Sequence, residues 1–293
     1  MLHLGIDLGG TRIKSVLLNS TGTVLQENYT PTQDDGEAGW KHTVKQVCDH
    51  YAAQYADETI HVGISAPGLP NASNTAIAYM PGRLQGLENF IWADWLQKPT
   101  YVLNDAVAAL MAEARLGAGK GLQHVAMLTL GTGVGGALLL NGKPFQGAFN
   151  KAGHIGHMVI DSTGEPDVTG MPGSLEDAIG NVTVERRSQG RFTSTQLLLD
   201  AMRSGDGFAK KVWEESVRKL ALGLASITNI ISPERIILGG GITEAGADLF
   251  DLLETYMALY EWKAGWNGVE IVKAQYGDLS GAMGAACFAM EKQ

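Results

Sequence analysis

The sequence alternates short apolar runs with glycine-rich turns, and the same arrangement occurs once in each half of the chain. Two apolar runs that flank a glycine-rich turn are typical of a β-hairpin. The pattern therefore predicts two hairpins of one design, each followed by a further turn. The hairpin strands are expected at 4–7 and 13–18 in the first half and at 125–130 and 137–140 in the second, and the further turns at 19–22 and 141–142.

Helical periodicities and further short apolar runs alternate along the rest of the chain. This alternation indicates an α/β protein with largely parallel sheets, and a segment rich in Gly, Pro, Asp and Thr at 164–173 predicts a loop. We expect a small N-terminal lobe at 1–115, which the terminal helix 281–293 rejoins, and a large lobe at 116–280. The predicted helices cover 37–56, 106–116, 207–230, 247–260 and 281–290, and the predicted further strands cover 60–64, 100–103, 235–238 and 269–272.

Composition and charge exclude some classes of function. The chain has 293 residues, 45% apolar and 18% charged, which suits a globular protein with room for two cores. A net charge of −9 and an isoelectric point near 5.2 argue against nucleic-acid binding, which needs a basic face. No leader and no membrane-length apolar run is evident, so we expect no membrane partner and a cytoplasmic location. Cys48 and Cys287 stand in apolar helical contexts, which predicts buried free thiols.

The two glycine-rich turns are candidate phosphate sites. Glycine lets backbone N–H groups wrap an anion, and Asp7, Thr11 and Thr132 add oxygen atoms that suit a phosphate with bound Mg²⁺. Ordinary hairpin turns are the alternative, but the repetition favours a shared ligand. Neither turn has the P-loop pattern, and neither opens a helix as in a dinucleotide-binding fold. The implied ligand is a nucleoside triphosphate in a cleft between duplicated halves.

Polar and glycine residues that follow predicted strands are further candidates. Asn104 and Asp105 stand where α/β proteins place ligand groups, and a helix N-cap is an alternative role that can coexist. A carboxylate there can accept the proton of a hydroxyl that attacks a γ-phosphate, so Asp105 is the candidate general base. The glycines at 239–241 suit either an adenine pocket or a tight strand-to-helix turn.

Two histidines, His154 and His157, lie in a glycine-rich turn. Imidazoles there suit hydroxyl recognition or metal binding, and a structural role is the alternative for each. Glu176 opens the segment 175–179, where a solvated helix carboxylate is the common outcome. A solvated basic patch is predicted at Arg186, Arg187 and Arg191.

Six short motifs form an ordered set that spans the chain. They are Asp7-Leu8-Gly9-Gly10-Thr11, Ala66-Pro67-Gly68, Leu103-Asn104-Asp105-Ala106, Leu130-Gly131-Thr132-Gly133-Val134-Gly135-Gly136, Ala152-Gly153-His154-Ile155-Gly156-His157 and Leu238-Gly239-Gly240-Gly241. The set resembles that of bacterial ROK-family sugar kinases. The resemblance implies an actin/hexokinase-like (ribonuclease H-like) α/β fold with two lobes and a cleft between them. It also implies ATP with Mg²⁺, phosphorylation of a hexose or N-acetylhexosamine at the 6-hydroxyl, as in glucokinases, and usually a homodimer.

On matching positions, the resemblance implies roles for individual residues. Asp105 would be the catalytic base, the two turns would hold phosphates, and the third glycine cluster would hold adenosine. The implied sugar-binding residues are Gly68, Asn104, Asp105, His154, His157 and Glu176. The implied nucleotide-binding residues are Asp7, Gly9, Gly10, Thr11, Lys14, Gly131, Thr132, Gly133, Gly135, Gly239, Gly240 and Gly241.

One departure from the family pattern concerns zinc. The family motif has three cysteines, and the same spacing here holds Asp167, Thr169 and Ser174. These side chains cannot build a soft tetrahedral zinc site with His157. We therefore expect a protein without bound zinc.

Two further departures leave the sugar open. His154 replaces a usual glutamate, as in some N-acetylmannosamine kinases, and Arg83 replaces a usual asparagine. Kinases for N-acetylmannosamine, fructose or a β-glucoside are therefore alternatives to a glucokinase. A different class is a noncatalytic sugar sensor or a repressor. ROK repressors carry an N-terminal helix-turn-helix domain, whereas the phosphate hairpin begins almost at Met1 here, and the retained Asp105 favours catalysis.

Overall fold

The computed structural model describes residues 1–33, 36–82 and 84–292, which form an α/β fold in two compact units. The N-terminal unit comprises Met1–Gly121, Lys143–Ala152 and Gln275–Gln293, and the central unit comprises Leu122–Gly142 and Gly153–Ala274. Within the described ranges, no helix is long and apolar enough to cross a membrane.

The predicted helices and strands are present, with additional elements between them. The strands are Leu2–Leu8 (β1), Arg12–Asn19 (β2), Val24–Pro31 (β3), Ile60–Ala66 (β4), Leu69–Pro70 (β5), Ile77–Tyr79 (β6), Thr100–Asn104 (β7), Val125–Leu130 (β8), Val134–Leu140 (β9), Lys143–Phe145 (β10), Arg235–Gly239 (β11) and Glu270–Lys273 (β12). The α-helices are Gly39–Gln54 (α1), Trp92–Leu96 (α2), Asp105–Leu116 (α3), Leu175–Ile179 (α4), Val184–Arg187 (α5), Thr195–Arg203 (α6), Gly207–Ile231 (α7), Ala247–Tyr260 (α8) and Ser280–Glu291 (α9).

The sheet of the N-terminal unit has the strand order β3-β2-β1-β4-β7. β1 pairs antiparallel with β2, whereas β4 and β7 continue the sheet in parallel. Asp7 pairs with Ser65 of β4, and Ala66 pairs with Asn104 of β7. Because β1, β4 and β7 run in one direction, their carboxyl ends share one edge of the sheet, where α/β folds place ligand groups.

The central unit repeats this design. Its strands β9, β8, β11 and β12 lie side by side, with β9 antiparallel to β8 and the other neighbours parallel. Gly239 pairs with Thr129, so the turn after β8 and the turn after β11 lie at the same edge of the sheet. Both predicted hairpins are present and each adjoins parallel strands, which confirms the predicted fold class.

The small residues of α9 allow it to pack very closely within the N-terminal unit. A Cβ at Gly5 of β1 would lie 1.8 Å from the carbonyl oxygen of Ala282, and a Cβ at Gly284 would lie 1.6 Å from that of Ala108 in α3. These distances are far inside van der Waals contact, so only glycine permits the approach. The packing brings the first turn of α9 to the carboxyl end of β1.

Each unit has its own apolar core. Trp40 and Trp92 are fully buried in the N-terminal unit, and Trp213 of α7 is fully buried in the central unit. Cys48 and Cys287 are buried free cysteines, as predicted. Burial raises the pKa of both thiols to about 12, so both remain protonated at neutral pH.

Candidate active site

Asp7, at the carboxyl end of β1, lies in a network of charged and hydroxyl groups. Its Oδ1 accepts a 2.7 Å hydrogen bond from Ser65 Oγ, and its Oδ2 lies 3.3 Å from Lys14 Nζ. Lys14 reaches Asp7 because the two residues pair across the first hairpin. The ammonium of Lys14 also lies 2.8 Å from Oδ1 of Asp278. Burial alone would lower the pKa of Lys14, but the hydrogen bond with Asp278 and the charge of Asp7 outweigh burial and raise it, so Lys14 stays charged.

The turn between β1 and β2 is fixed by hydrogen bonds from Thr32, and its tip is exposed. Thr32 donates from its hydroxyl to the carbonyl oxygen of Gly9 and from its N–H to that of Thr11. Gly10 and Thr11 are exposed, and a Cβ at Gly10 would meet no atom of the described residues within 4 Å. Gly281, in the first turn of α9, packs on the carboxylate of Asp7. The turn therefore has room for an anion close to the positive end of a helix.

Asn104 ends β7 and caps α3. Its Oδ1 accepts hydrogen bonds from the N–H groups of Ala106 and Val107 at 3.0 and 3.4 Å, which confirms the predicted N-cap. Its Nδ2 donates to the carbonyl oxygen of Gly68 at 3.0 Å, so the cap also links β7 to the segment after β4. Asp105, the first residue of α3, is exposed. The carboxyl edge of this sheet thus carries Asp7, Lys14, Gly68, Asn104 and Asp105.

In the central unit, Glu176 holds the turn between β8 and β9. Its Oε2 accepts a 2.9 Å hydrogen bond from the N–H of Val134, and a Cβ at Gly133 would lie 2.1 Å from the same oxygen. A side chain at position 133 would therefore force the Glu176 side chain to move. Glu176 is not the solvated helix carboxylate that is the common outcome at such a position, because α4 begins after its N-cap Ser174 and directs Glu176 onto this turn. Its implied role in sugar binding stays a prediction.

The rest of the turn faces outward. Thr132 is exposed, and a Cβ at Gly131 would meet none of the described atoms within 4 Å. The N–H groups of Asn181 and Val182 donate to the carbonyl oxygens of Gly131 and Thr132 at 2.9 and 2.8 Å, which fixes the turn from one side. Gly135 lies inside β9 rather than in the turn.

Arg187 holds the segment 180–182, whose N–H groups fix the turn between β8 and β9. Its guanidinium donates to the carbonyl oxygen of Gly180 at 2.8 Å and to the hydroxyl of Ser216. Burial and the neighbouring charge of Arg186 lower the pKa of Arg187 to about 10, so it remains charged at neutral pH. The prediction of a solvated basic patch is therefore wrong for Arg187, whereas Arg186 and Arg191 are exposed.

A 3-10 turn at Ile155–His157 contains His157 and directly follows His154, so the predicted turn is confirmed. A Cβ at Gly156 would lie 1.9 Å from a carbonyl oxygen of β9, and the turn therefore packs directly on that strand. His154 immediately precedes the turn, and both histidines are half-buried. Nδ1 of His157 lies 2.8 Å from Oδ2 of Asp167.

Asp167 organises the predicted loop before α4. Its Oδ1 accepts hydrogen bonds from the N–H and hydroxyl of Thr169 and from the N–H of Met171. Burial alone would raise the pKa of Asp167, but these bonds and the one with His157 outweigh burial and hold it well below the usual range. The hydroxyl of Ser174 caps α4, because it accepts a hydrogen bond from the N–H of Asp177. Within the described ranges, no group of three His, Cys, Asp or Glu residues is placed to hold a metal ion.

The glycines after β11 form a tight turn at the same sheet edge as the β8–β9 turn. Gly240 has φ of +87°, and a Cβ there would lie 2.4 Å from the carbonyl oxygen of Leu130. The hydroxyl of Thr243 donates to the carbonyl oxygen of Gly240 at 2.7 Å. Gly241 is exposed, so backbone is accessible at this edge. Of the predicted specificity positions, Arg83 lies outside the described residues.

Comparison with known proteins identifies the family. The ROK family pattern matches residues 3–292. The chain belongs to the ROK family. A glucokinase from Halalkalibacterium halodurans is 29% identical, over 99% of this chain and 96% of its own length.

Two solved structures are similar over the full chain. A ROK hexokinase from Thermus thermophilus is 26% identical with a TM-score of 0.90, over 100% of this chain and 99% of its own. A ROK-family glucokinase from Streptomyces griseus, solved in complex with glucose and AMPPNP, is 25% identical with a TM-score of 0.78, over 99% of this chain and 100% of its own. The predicted family and its two-part sugar-kinase fold are thereby confirmed.

Proposed function

We propose that this ROK protein transfers the γ-phosphoryl group of ATP to the 6-hydroxyl of a hexose or hexose derivative, with glucose as the first candidate. The observation that carries this proposal is the match, over nearly all of both chains, to a glucokinase that binds glucose and an ATP analogue. The two exposed glycine-rich turns and the strand-end carboxylates support the same chemistry.

Asp105 is assigned the role of general base. Phosphoryl transfer to an alcohol needs positioning, charge stabilisation and one group that accepts the hydroxyl proton. Asp105 is an exposed carboxylate at a sheet edge, and the cap formed by Asn104 fixes the backbone from which it projects. The 6-hydroxyl would donate its proton to this carboxylate as its oxygen attacks the γ-phosphorus and the bond to the β-phosphate oxygen breaks.

The nucleotide is assigned to glycine-rich backbone. The turn at 9–11, with Lys14, and the turn at 131–133, with Gly135 of β9, would contact phosphates through N–H groups and the ammonium, and the glycines 239–241 would contact adenosine. Mg²⁺ usually takes one or two carboxylates and completes its shell with phosphates and water. Asp7 supplies one such hard-oxygen ligand, so the site fits Mg²⁺, which would neutralise charge on the phosphates.

Sugar binding is assigned to six residues. Sugar hydroxyls both donate and accept hydrogen bonds, and amide, imidazole and carboxylate groups match that character. A cytoplasmic homodimer without structural zinc completes the proposal. The assigned sugar-binding residues are Gly68, Asn104, Asp105, His154, His157 and Glu176.

A coupled assay of ADP release tests the proposal. The panel contains glucose, fructose, N-acetylmannosamine, N-acetylgalactosamine and a β-glucoside, and ³¹P NMR of the product locates the phosphate. We expect sugar-dependent ADP release and a 6-phosphate. Absence of sugar-dependent release across the panel would contradict kinase activity, and calorimetric sugar binding without turnover would support the sensor class instead.

A further inference from the structure

Two carboxylates share the ammonium of Lys14. Nζ lies 3.3 Å from Oδ2 of Asp7 and 2.8 Å from Oδ1 of Asp278, and it also donates to the backbone oxygen of Asp278 at 2.9 Å. The side chains of Lys14 and Asp7 are 15% and 16% exposed, whereas that of Asp278 is 52% exposed. The ammonium therefore bridges a sheltered carboxylate and one that reaches solvent.

The position of Lys14 affects how strongly Asp7 could bind Mg²⁺. Asp7 is the carboxylate assigned to Mg²⁺, and an ammonium close to one of its oxygens competes with a metal ion for the same negative charge. Lys14 has three N–H donors, and Asp278 offers it two oxygen acceptors, its Oδ1 and its backbone oxygen. If Asp278 carried no charge, Asp7 would be left, within the part of the chain that the structure describes, as the one carboxylate paired with Lys14.

Arg12 also pairs with Asp278, but its contribution is different. Its Nη2 lies 2.9 Å from Oδ2 of Asp278, and both side chains are about half exposed. Exposed pairs of this kind contribute little because water and salt screen them. Arg12 also lies over the Tyr29 ring, 5.1 Å from its centre. Asp278 therefore exerts its main effect on the sheltered Lys14.

We propose that Asp278 is a positioning residue that shares the ammonium of Lys14 with Asp7, weakens the hold of Lys14 on Asp7 and so leaves the Asp7 carboxylate able to bind the Mg²⁺ of Mg·ATP. This inference rests on the proposed function. Asp278 acts through Lys14, and the predicted signature is a selective loss of the benefit that Mg²⁺ gives to ATP binding.

The test compares ATP binding with Mg²⁺ and in EDTA, measured by calorimetry on wild type and Asp278→Asn. Asparagine keeps the size and one acceptor oxygen but removes the charge. We expect Mg·ATP affinity to fall about 3–10-fold, as for loss of one partly sheltered ion pair. Affinity for metal-free ATP should be unchanged or higher, because the site loses one negative charge. A purely structural role would weaken both forms equally, which would overturn the proposal.

Two further variants complete the experiment. Asp49→Asn removes another lysine-paired carboxylate of the N-terminal unit and should change neither affinity. In a Lys14→Met background, Asp278→Asn should no longer alter the ratio of the two affinities. If the Lys14→Met variants bind ATP too weakly for calorimetry, the Mg²⁺ concentration that gives half-maximal activity provides the comparison. A persistent effect without Lys14 would overturn the proposed route, whereas wild-type protein that does not bind ATP would overturn the proposed function itself.

Discussion

Glu176 and Val134 are joined by a 2.9 Å hydrogen bond in which the carboxylate Oε2 accepts from the backbone N–H. The bond connects a proposed sugar-binding side chain to a proposed phosphate-binding turn within the central unit. An ionised carboxylate has about four acceptor positions, so Glu176 can hold the turn and still accept a hydrogen bond from a sugar hydroxyl.

Two substitutions of Glu176 separate these roles. Glu176→Gln keeps an acceptor for Val134, so we expect a higher sugar KM with an ATP KM within about twofold of wild type. Glu176→Ala removes a charge-assisted hydrogen bond of about 1.5–3 kcal/mol, so both KM values should rise by about tenfold or more. Steady-state kinetics with each substrate varied provides the measurement. An unchanged ATP KM in the alanine variant would show that the bond does not shape the phosphate turn.

The two glycine turns should respond differently to added side chains. Gly10→Val adds atoms where the described residues leave space, so the protein should fold normally and bind ATP more weakly. Gly133→Val displaces the Glu176 side chain and breaks its hydrogen bond with Val134, so both thermal stability and ATP binding should fall. Gly207→Ala, at an open position that starts α7, is the control. Thermal unfolding and ATP titration measure the two effects, and normal ATP binding by Gly10→Val would remove the first turn from the nucleotide site.

Asp105→Asn tests the base. The amide keeps size and hydrogen bonding but cannot accept the proton, so kcat should fall about 10²–10⁴-fold while sugar affinity largely survives. Asp94→Asn, which changes an exposed carboxylate in the first turn of α2, should leave kcat unchanged. Turnover of Asp105→Asn within a few-fold of wild type would assign proton transfer to another group.

The sequence predicts features whose physical cause is local. Apolar runs around glycine turns locate both hairpins, and Asn before a helix locates the cap of α3. β3 was not predicted. It is an edge strand with mostly exposed residues, so its sequence lacks the alternation of a half-buried strand.

Long-range contacts were not predictable from one sequence. Lys14 and Asp278 stand 264 positions apart, and only the return of α9 to β1 brings them together. Arg187 resembles its exposed neighbours in sequence, and its partner Ser216 lies on the distant α7. The direction of Glu176 likewise depends on where α4 packs, so local propensity could only suggest a solvated carboxylate.

Asp167 should make stability depend on acid pH. Its side chain is 1% exposed and its folded-state pKa is lowered, so it stabilises the fold above its unfolded pKa of about 3.9 and loses this contribution as pH falls toward the folded value. Asp167→Asn should lower the free energy of unfolding by about 1–3 kcal/mol at neutral pH, and the difference should shrink below about pH 4. Urea unfolding of wild type and Asp167→Asn at several pH values measures this difference in the free energy of unfolding.

The control for Asp167 is metal removal. If hydrogen bonds rather than zinc hold the loop, a chelator should not change the unfolding temperature, and elemental analysis should find far less than one zinc per chain. A pH-independent difference between wild type and Asp167→Asn would mean that packing, not the carboxylate charge, supports the loop.

His154 is expected to help select the sugar. An ionised glutamate only accepts hydrogen bonds, whereas a neutral imidazole offers one donor and one acceptor, so the hydroxyl that faces position 154 can reverse its hydrogen-bond direction. A buried polar group left unpaired costs about 1–3 kcal/mol, which is enough to reorder similar substrates. His154→Glu should therefore shift the ranking of sugars by kcat/KM toward glucose.

The measurement is kcat/KM across the same sugar panel for wild type, His154→Glu and His50→Glu. His50 is exposed on α1, so its substitution introduces the same charge without touching the proposed sugar site and should preserve the ranking. Because the 3-10 turn that follows His154 packs closely on β9, a general disturbance of that turn would lower all rates by a similar factor. A uniform loss would therefore assign His154 to support of the fold, and only a changed order of sugars would assign it to recognition.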